Sequence, residues 1–204
     1  MIEWFLIYQN LPMDKINVPI LLGTAREGRY SEKVAKYTLA KALEFGFESE
    51  LLDVRDLMPD KTGPIWMYEE GAIPEKILKW RSVVQKSDAL IFVIPEYNHG
   101  YPGEFKLVYD LLFEDYKRKP VSVCAVSDGV FGGARMLEQV WSVVIAGHMV
   151  PTTYYVNFAL VKEMFDENGA IKDPSTKKLI ESKMQKMLEE TNWFAKVLKQ
   201  AKPS

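Results

Sequence analysis

Three short segments hold most of the residues in this chain whose types suit ligand chemistry. The first is Gly23-Thr24-Ala25-Arg26-Glu27-Gly28-Arg29-Tyr30-Ser31, which follows an apolar run and leads into a helical pattern. Gly23 and Gly28 allow tight turns in which backbone N–H groups approach a ligand. Thr24 and Ser31 supply hydroxyls, and Ser31 is also a helix N-cap candidate. Arg26 and Arg29 supply planar charged donors that match phosphate oxygens. With a helix N-terminus behind it, the segment reads as a phosphate nest. A polar connector with a helix cap would use the same residue types, so this loop alone does not decide between the two. The spacing is neither that of a nucleotide-hydrolase P-loop nor that of a dinucleotide fingerprint.

The second segment is Pro95-Glu96-Tyr97-Asn98-His99-Gly100-Tyr101-Pro102-Gly103-Glu104-Phe105-Lys106. Two prolines stiffen it and two glycines allow close approach. Tyr97 suits stacking against a flat ring, and Asn98 offers both donor and acceptor, with backbone amides around Asn98 and His99 available to ring heteroatoms. His99 is a candidate proton donor, although a loop histidine more often has a solvated or packing role. Lys106 and Asp110 stand one helical turn apart and read as a weak surface pair. The third segment, Ser127-Asp128-Gly129-Val130-Phe131-Gly132-Gly133-Ala134-Arg135, carries three glycines that imply strained turns. Phe131 reads as covering a ring face or, rather more, as packing under this loop, and Arg135 as a solvated helix residue.

The elements around these segments explain why all three should meet. Apolar runs at Val18 to Leu22, Glu48 to Val54, Ala89 to Ile94, Val121 to Val126 and Thr152 to Val156 read as strands. Between and after them, helical spacing runs from Ser31 to Phe45, Glu75 to Lys86, Phe105 to Phe113, Gly133 to Ala146 and Pro174 to Lys199. In the second of these helices Ile77, Leu78, Val83 and Val84 are expected to face inward. Regular strand–helix alternation predicts a single α/β domain around a parallel sheet. In such sheets ligands bind beyond the carboxyl ends of the strands. The three segments follow strands one, three and four.

Composition narrows the chemistry. The 204 residues carry a net charge of −2, which leaves no basic footprint for nucleic acid. Cys124 is the only cysteine, so there is no internal disulfide and no Cys-x-x-Cys pair, and redox chemistry would have to come from a cofactor. No metal site is expected. The apolar start, Met1 to Tyr8, is too short to span a membrane and lacks the features of a signal peptide. Met13 is read as the native start, residues 1–15 as an extension, and 16–204 as the domain.

The run Pro95-Glu96-Tyr97-Asn98, with Gly100, Pro102-Gly103, Lys106 and Asp110, closely resembles the signature of the NADPH-dependent FMN reductase family. The Gly23–Ser31 loop is similar to that family's phosphate loop, and the resemblance extends from about Val18 to Tyr155. Thr24 stands where the family usually has Ser. Leu107 replaces a common Asn after the lysine, and His99-Gly100 replaces a small or hydroxyl pair. The resemblance implies a flavodoxin-like three-layer sandwich with a five-stranded parallel sheet in the order 2-1-3-4-5. It implies FMN as cofactor and NADPH or NADH as electron donor.

On this reading the FMN site comprises Gly23, Thr24, Arg26, Gly28, Arg29, Ser31, Pro95, Glu96, Tyr97, Asn98, His99, Ser127, Asp128, Gly129, Gly132 and Gly133. Thr24, Arg26 and Ser31 would anchor the phosphate while Gly28 and Arg29 shape the loop. Asp128 would lie beside the ring and keep its potential low. The implied activity is hydride transfer through flavin N5 to a small acceptor: a quinone, free flavin, azo compound or metal oxyanion. An electron carrier or a non-redox protein that keeps the fold is the alternative. A cytoplasmic homodimer or homotetramer is expected, with Phe105, Val108, Tyr109 and Phe113 at the subunit contact. The Pro59–Pro74 loop reads as a lid, an interface arm or a packed surface loop.

Overall fold

The computed structural model describes residues 15–69 and 71–201, so Met13 and residues 1–14 lie outside the described part. Strands β1 (Ile20–Leu22), β3 (Leu90–Pro95) and β4 (Pro120–Val126) are buried at every position. Successive strand residues point to opposite faces, so Leu21, Leu90, Phe92, Ile94, Val121 and Val123 enter one core. Ile20, Leu22, Ile91, Val93, Cys124 and Val126 enter the other. A strand covered on both faces has no polar side, which is why these segments read as unbroken apolar runs.

With β2 (Leu51–Asp53) and β5 (Val150–Pro151), the sheet has the order β2-β1-β3-β4-β5, and every pairing is parallel. Helices on both faces complete three layers, as the flavodoxin-like expectation requires. One layer holds α1 (Ser31–Phe45) and the long α7 (Pro174–Gln200). The opposite layer holds α3 (Glu75–Lys86), α4 (Gly103–Tyr109) and α5 (Ala134–Ala146). α1 turns Val34, Ala35, Thr38 and Ala42 inward and stops where Gly46 adopts φ 104°, a left-handed conformation that suits glycine. Two short helices, α2 (Val54–Leu57) and α6 (Val161–Met164), follow β2 and the sixth strand.

Several elements differ from the sequence reading. The fifth strand is split: β5 pairs with the start of β4, while β6 (Val156–Phe158) pairs with Cys124 to Val126 at its end. The segment expected to be the strand is largely the break between them. Local bonds divert the backbone there, since the Thr152 hydroxyl donates to the Tyr154 carbonyl at 2.9 Å and the Tyr154 amide donates to Glu190 at 2.7 Å. A buried chain of hydroxyls ties this break to the helix layer. Ser122 Oγ lies 2.8 Å from Thr152 Oγ1 and 2.6 Å from Thr191 Oγ1 on α7.

In α3 Ile77, Trp80 and Val84 are buried and Val83 packs partly buried against the same core, while Leu78 is exposed. Trp80 is fully buried because its indole N–H finds the Tyr116 hydroxyl at 3.2 Å. α4 ends at Tyr109, and Phe105, Val108 and Tyr109 are core residues; Phe113 remains exposed. Within the Pro59–Pro74 loop, Ile65–Met67 forms one 3-10 turn that leaves Trp66 and Met67 exposed.

Candidate functional site

All strands run the same way, so the loops after β1, β3 and β4 gather at one edge. They enclose a cleft of about 300 Å³, lined by residues from Arg26–Ser31, Pro95–Tyr97 and Val126–Asp128, with Val161 and Lys162 on the far side. Nine of the residues singled out from the sequence meet in that lining: Arg26, Gly28, Arg29, Ser31, Pro95, Glu96, Tyr97, Ser127 and Asp128. Glu27, Tyr30, Val126, Val161 and Lys162 join them without having been named as site residues.

The first loop is held by its own polar groups. Thr24 is buried beneath it, its hydroxyl 3.1 Å from the Tyr97 hydroxyl and accepting the Arg26 amide at 3.3 Å. Arg55 donates to the carbonyls of Ala25 and Arg26 at 3.0 and 2.7 Å. Gly28 takes φ 65° at the turn. The Arg26 guanidinium lies over the Tyr97 ring, 5.4 Å from its centroid, while Gly23 packs under Ile94 and Phe105, outside the lining.

Arg29 points inward. Its guanidinium grips both carboxylate oxygens of Asp53 on β2 and donates to the Thr24 carbonyl; Nε makes no hydrogen bond and lies 3.9 Å from a Glu32 carboxylate oxygen. The fork is therefore engaged within the protein and shapes the loop. Ser31 is not the cap of α1 but its first residue. Tyr30 takes the cap position with no side-chain hydrogen bond. The Ser31 hydroxyl is buried, faces the cleft lining and has no hydrogen-bond partner among the described residues.

The second loop is a two-residue hairpin turn. The Tyr97 and Gly100 amides each donate to the other's carbonyl at 2.9 Å, forcing Asn98 and His99 to φ 48° and 68°. Left-handed backbone at two non-glycine residues is strained, least so for Asn, and such strain concentrates at functional sites. Gln139 pins the turn by donating to the His99 carbonyl at 2.7 Å. His99 Nε2 sits 3.4 Å from an Arg135 nitrogen. Both turn residues are exposed, beyond the cleft lining. The Glu96 carboxylate turns to the N-terminus of α5, accepting the Met136 amide at 3.1 Å.

In the third loop the glycines serve different ends. A Cβ at Gly132 would come within 2.8 Å of Asn157, and one at Gly133 within 3.1 Å of Ala125, so both let the loop lie flat on β4 and β6. Gly129 is exposed and donates to the Ser127 hydroxyl at 3.0 Å. Phe131 is exposed, contrary to the packing role read from the sequence, and carries the Arg135 guanidinium 5.2 Å from its ring centre. Asp128 pairs with Lys162 at 3.0 Å across the cleft's edge, and this hydrogen bond raises the lysine's pKa above its ordinary value.

These residues fit a phosphomonoester. An uncapped helix start carries unmet N–H groups and a favourable dipole, and the orphaned Ser31 hydroxyl lies beside it with Arg26 at the rim. Residues 16–163 match the sequence profile of NADPH-dependent FMN reductases. The chain belongs to the NADPH-dependent FMN reductase family. Members of that family are flavin-dependent oxidoreductases, with FMN as cofactor and NAD(P)H as reductant.

Two relatives and one solved structure are similar to the chain. A quinone reductase of Pseudomonas putida is 31% identical over 124 residues, which is 57% of this chain and 63% of that protein, just under two thirds of its length. An NAD(P)H-dependent FMN reductase of Saccharomyces cerevisiae is 28% identical over 142 residues, 63% of this chain and 73% of that protein. The fold is similar to that of FerB, a flavoenzyme NAD(P)H:(acceptor) oxidoreductase from Paracoccus denitrificans. That comparison has a TM-score of 0.72 and 24% identity, and covers 88% of this chain and 98% of that one. Among the described residues no helix is long and apolar enough to cross a membrane.

Proposed function

We propose that this protein is an FMN-dependent NAD(P)H oxidoreductase that reduces a small diffusible acceptor, of which quinones and free flavins are the first to test, and azo compounds and metal oxyanions the next. The observation that carries this reading is the buried, partnerless Ser31 hydroxyl at an uncapped helix start, inside a cleft at the strand ends. A buried hydroxyl without a partner costs free energy that a bound phosphate oxygen would recover. When bound, FMN supplies the ring that takes hydride from a reduced nicotinamide and hands it on.

The chain's own residues bind and orient. Ser31, the first-turn amides of α1 and Arg26 hold the phosphate end. Tyr97, fixed at its hydroxyl by Thr24, and the strained Asn98–His99 turn form one wall for the ring. The Ser127–Gly133 loop, flattened onto β4 and β6 by Gly132 and Gly133, forms the other. Holding donor and acceptor in turn against one rigid surface supplies the rate gain through proximity and alignment.

The test is direct. Purified protein given FMN should show a bound-flavin absorbance spectrum, bleach on addition of NADPH under nitrogen, and regain colour with a quinone. Protein that stays colourless and refuses FMN overturns the reading.

We also propose that the enzyme works in the cytoplasm as a homodimer or homotetramer. A groove of about 570 Å³ between the Ile65–Met67 turn and helices α4 and α5, edged by the exposed Trp66 and Phe113, supports a second copy docking there. Sedimentation at micromolar concentration giving a monomer mass would refute it.

A further inference from the structure

The charge balance of the cleft leaves one cation short. A phosphomonoester carries nearly two negative charges at neutral pH. Arg29 is neutralised by Asp53, which takes both ends of its fork, and the Arg29 side chain is only 3% exposed. Arg26 then stands as the one arginine of the first loop whose charge faces solvent at the cleft.

Lys162 lies across from it. It is the second residue of α6, and the backbone sets its position: the Val161 amide donates to the Ser127 carbonyl at 3.2 Å and the Ser127 amide to the Phe158 carbonyl at 3.0 Å. Lys162 lines the same cleft as the unpartnered Ser31 hydroxyl. Its ammonium is held 3.0 Å from Asp128 Oδ2, with side-chain exposures of 57% and 51%. An ion pair this exposed is weak, and a lysine head on a four-carbon stem reorients readily.

We propose that Lys162 is the second cation of the phosphate site, and that Asp128 is an internal stand-in anion which holds it until a phosphomonoester arrives. Binding then exchanges one partner for another, and Lys162 passes from the carboxylate to the phosphate oxygens. The protein thereby discriminates FMN from riboflavin through a residue that lies outside the phosphate loop. This inference rests on the reading of the cleft as the FMN site.

The test uses flavin-free full-length protein titrated with FMN and, separately, with riboflavin, followed by quenching of flavin fluorescence. Lys162→Met should weaken FMN binding about tenfold, the equivalent of one charge-assisted hydrogen bond at the low end, and leave riboflavin affinity unchanged. Lys162→Arg should restore most of the loss. Asp128→Asn, which removes the competing anion, should tighten FMN binding, and that gain should vanish when Lys162→Met is also present. Raising the salt concentration should narrow the gap between wild type and Lys162→Met. Melting of the flavin-free Lys162→Met protein should match wild type, because both side chains of the pair are exposed. The proposal falls if Lys162→Met binds FMN as wild type does, if it loses FMN and riboflavin equally, or if Asp128→Asn weakens FMN. Wild-type protein that binds neither flavin would overturn the reductase reading as well; wild type that binds FMN alongside an unaffected Lys162→Met would sink the lysine exchange alone.

Discussion

Replacing either member of the Arg29–Asp53 pair separates a structural role from a ligand role. The two partners are unequally buried: the Arg29 side chain is 3% exposed and that of Asp53 is 23% exposed. In Arg29→Met the Asp53 carboxylate keeps the Arg55 amide at 2.9 Å and gains water, while the buried Thr24 carbonyl loses its guanidinium donor. Bonds to charged groups contribute ~1.5–3 kcal/mol each, and a retained partner offsets part of that, so the cost should be about 2–3 kcal/mol. In Asp53→Ala a guanidinium is stranded in the interior, which costs ~3–5 kcal/mol, and the side-chain cap of α2 is lost as well, a further ~0.5–2 kcal/mol. Asp53→Ala should therefore be the more damaging of the two. For a chain of this size each kcal/mol lowers the melting midpoint by ~2–4 °C, so Arg29→Met should melt roughly 4–12 °C below wild type and Asp53→Ala lower still. Circular dichroism melts of flavin-free protein measure both, and a parallel FMN titration on the folded fraction measures ligand binding. Arg29→Met that melts with wild type yet fails to bind FMN would refute the structural assignment, as would an Asp53→Ala protein more stable than Arg29→Met.

Three other outcomes follow from separate parts of the molecule. A Cβ at Gly147 would lie 1.9 Å from the Tyr109 hydroxyl, whose ring stacks on Tyr116 at 4.5 Å. Gly147→Ala should therefore cost ~1–3 kcal/mol in urea unfolding, and adding Tyr109→Phe should recover part of it; no recovery would count against the clash. Burial pushes the Cys124 thiol up to about 12, so native protein at pH 8 should resist Ellman's reagent while denatured protein releases one equivalent, and fast native labelling would contradict this. The Asp173 carboxyl, which caps α7, is pulled down to about 2, chiefly by the Ser175 hydroxyl and then by the Thr176 amide. A lowered folded-state pKa gives stability that is present above the ordinary value of 3.8 and is lost as pH falls through 2. The stability gap between wild type and Asp173→Ala should thus stay flat from pH 5 to 8 and close between about pH 4 and 2; a gap that widens in acid would contradict the cap.

Elements were legible in the sequence where a local pattern sufficed. The two-faced burial of β1, β3 and β4 appears directly as apolar runs, and Gly46 marks the end of α1 because its left-handed φ suits glycine. The three loops could be placed at one edge because parallel strands leave no other arrangement. What the pattern could not reveal were partners distant in sequence. The Trp80 side chain turns inward because Tyr116 offers it a hydroxyl, and Arg29 leaves the phosphate loop because Asp53, 24 positions away, sits on the next strand. The fifth strand was misplaced because β-branched and aromatic residues from Thr152 to Val156 suit a strand locally, while Glu190 on α7 captures the backbone. Lys162 lies in no motif, and only the return of the chain past β6 brings it to the cleft.

The hydroxyl chain from the sheet to α7 has a consequence for where that helix can rest. The Thr191 hydroxyl lies 2.6 Å from both the Met187 carbonyl, to which it donates, and Ser122 Oγ on the sheet. Sliding α7 by one turn along its axis would carry Thr191 about 5.4 Å away and break its contact with Ser122, which would keep only Thr152. Methionines and leucines elsewhere on that helix would tolerate such a slide. One oxygen atom on the central sheet thus indexes the axial position of a 27-residue helix.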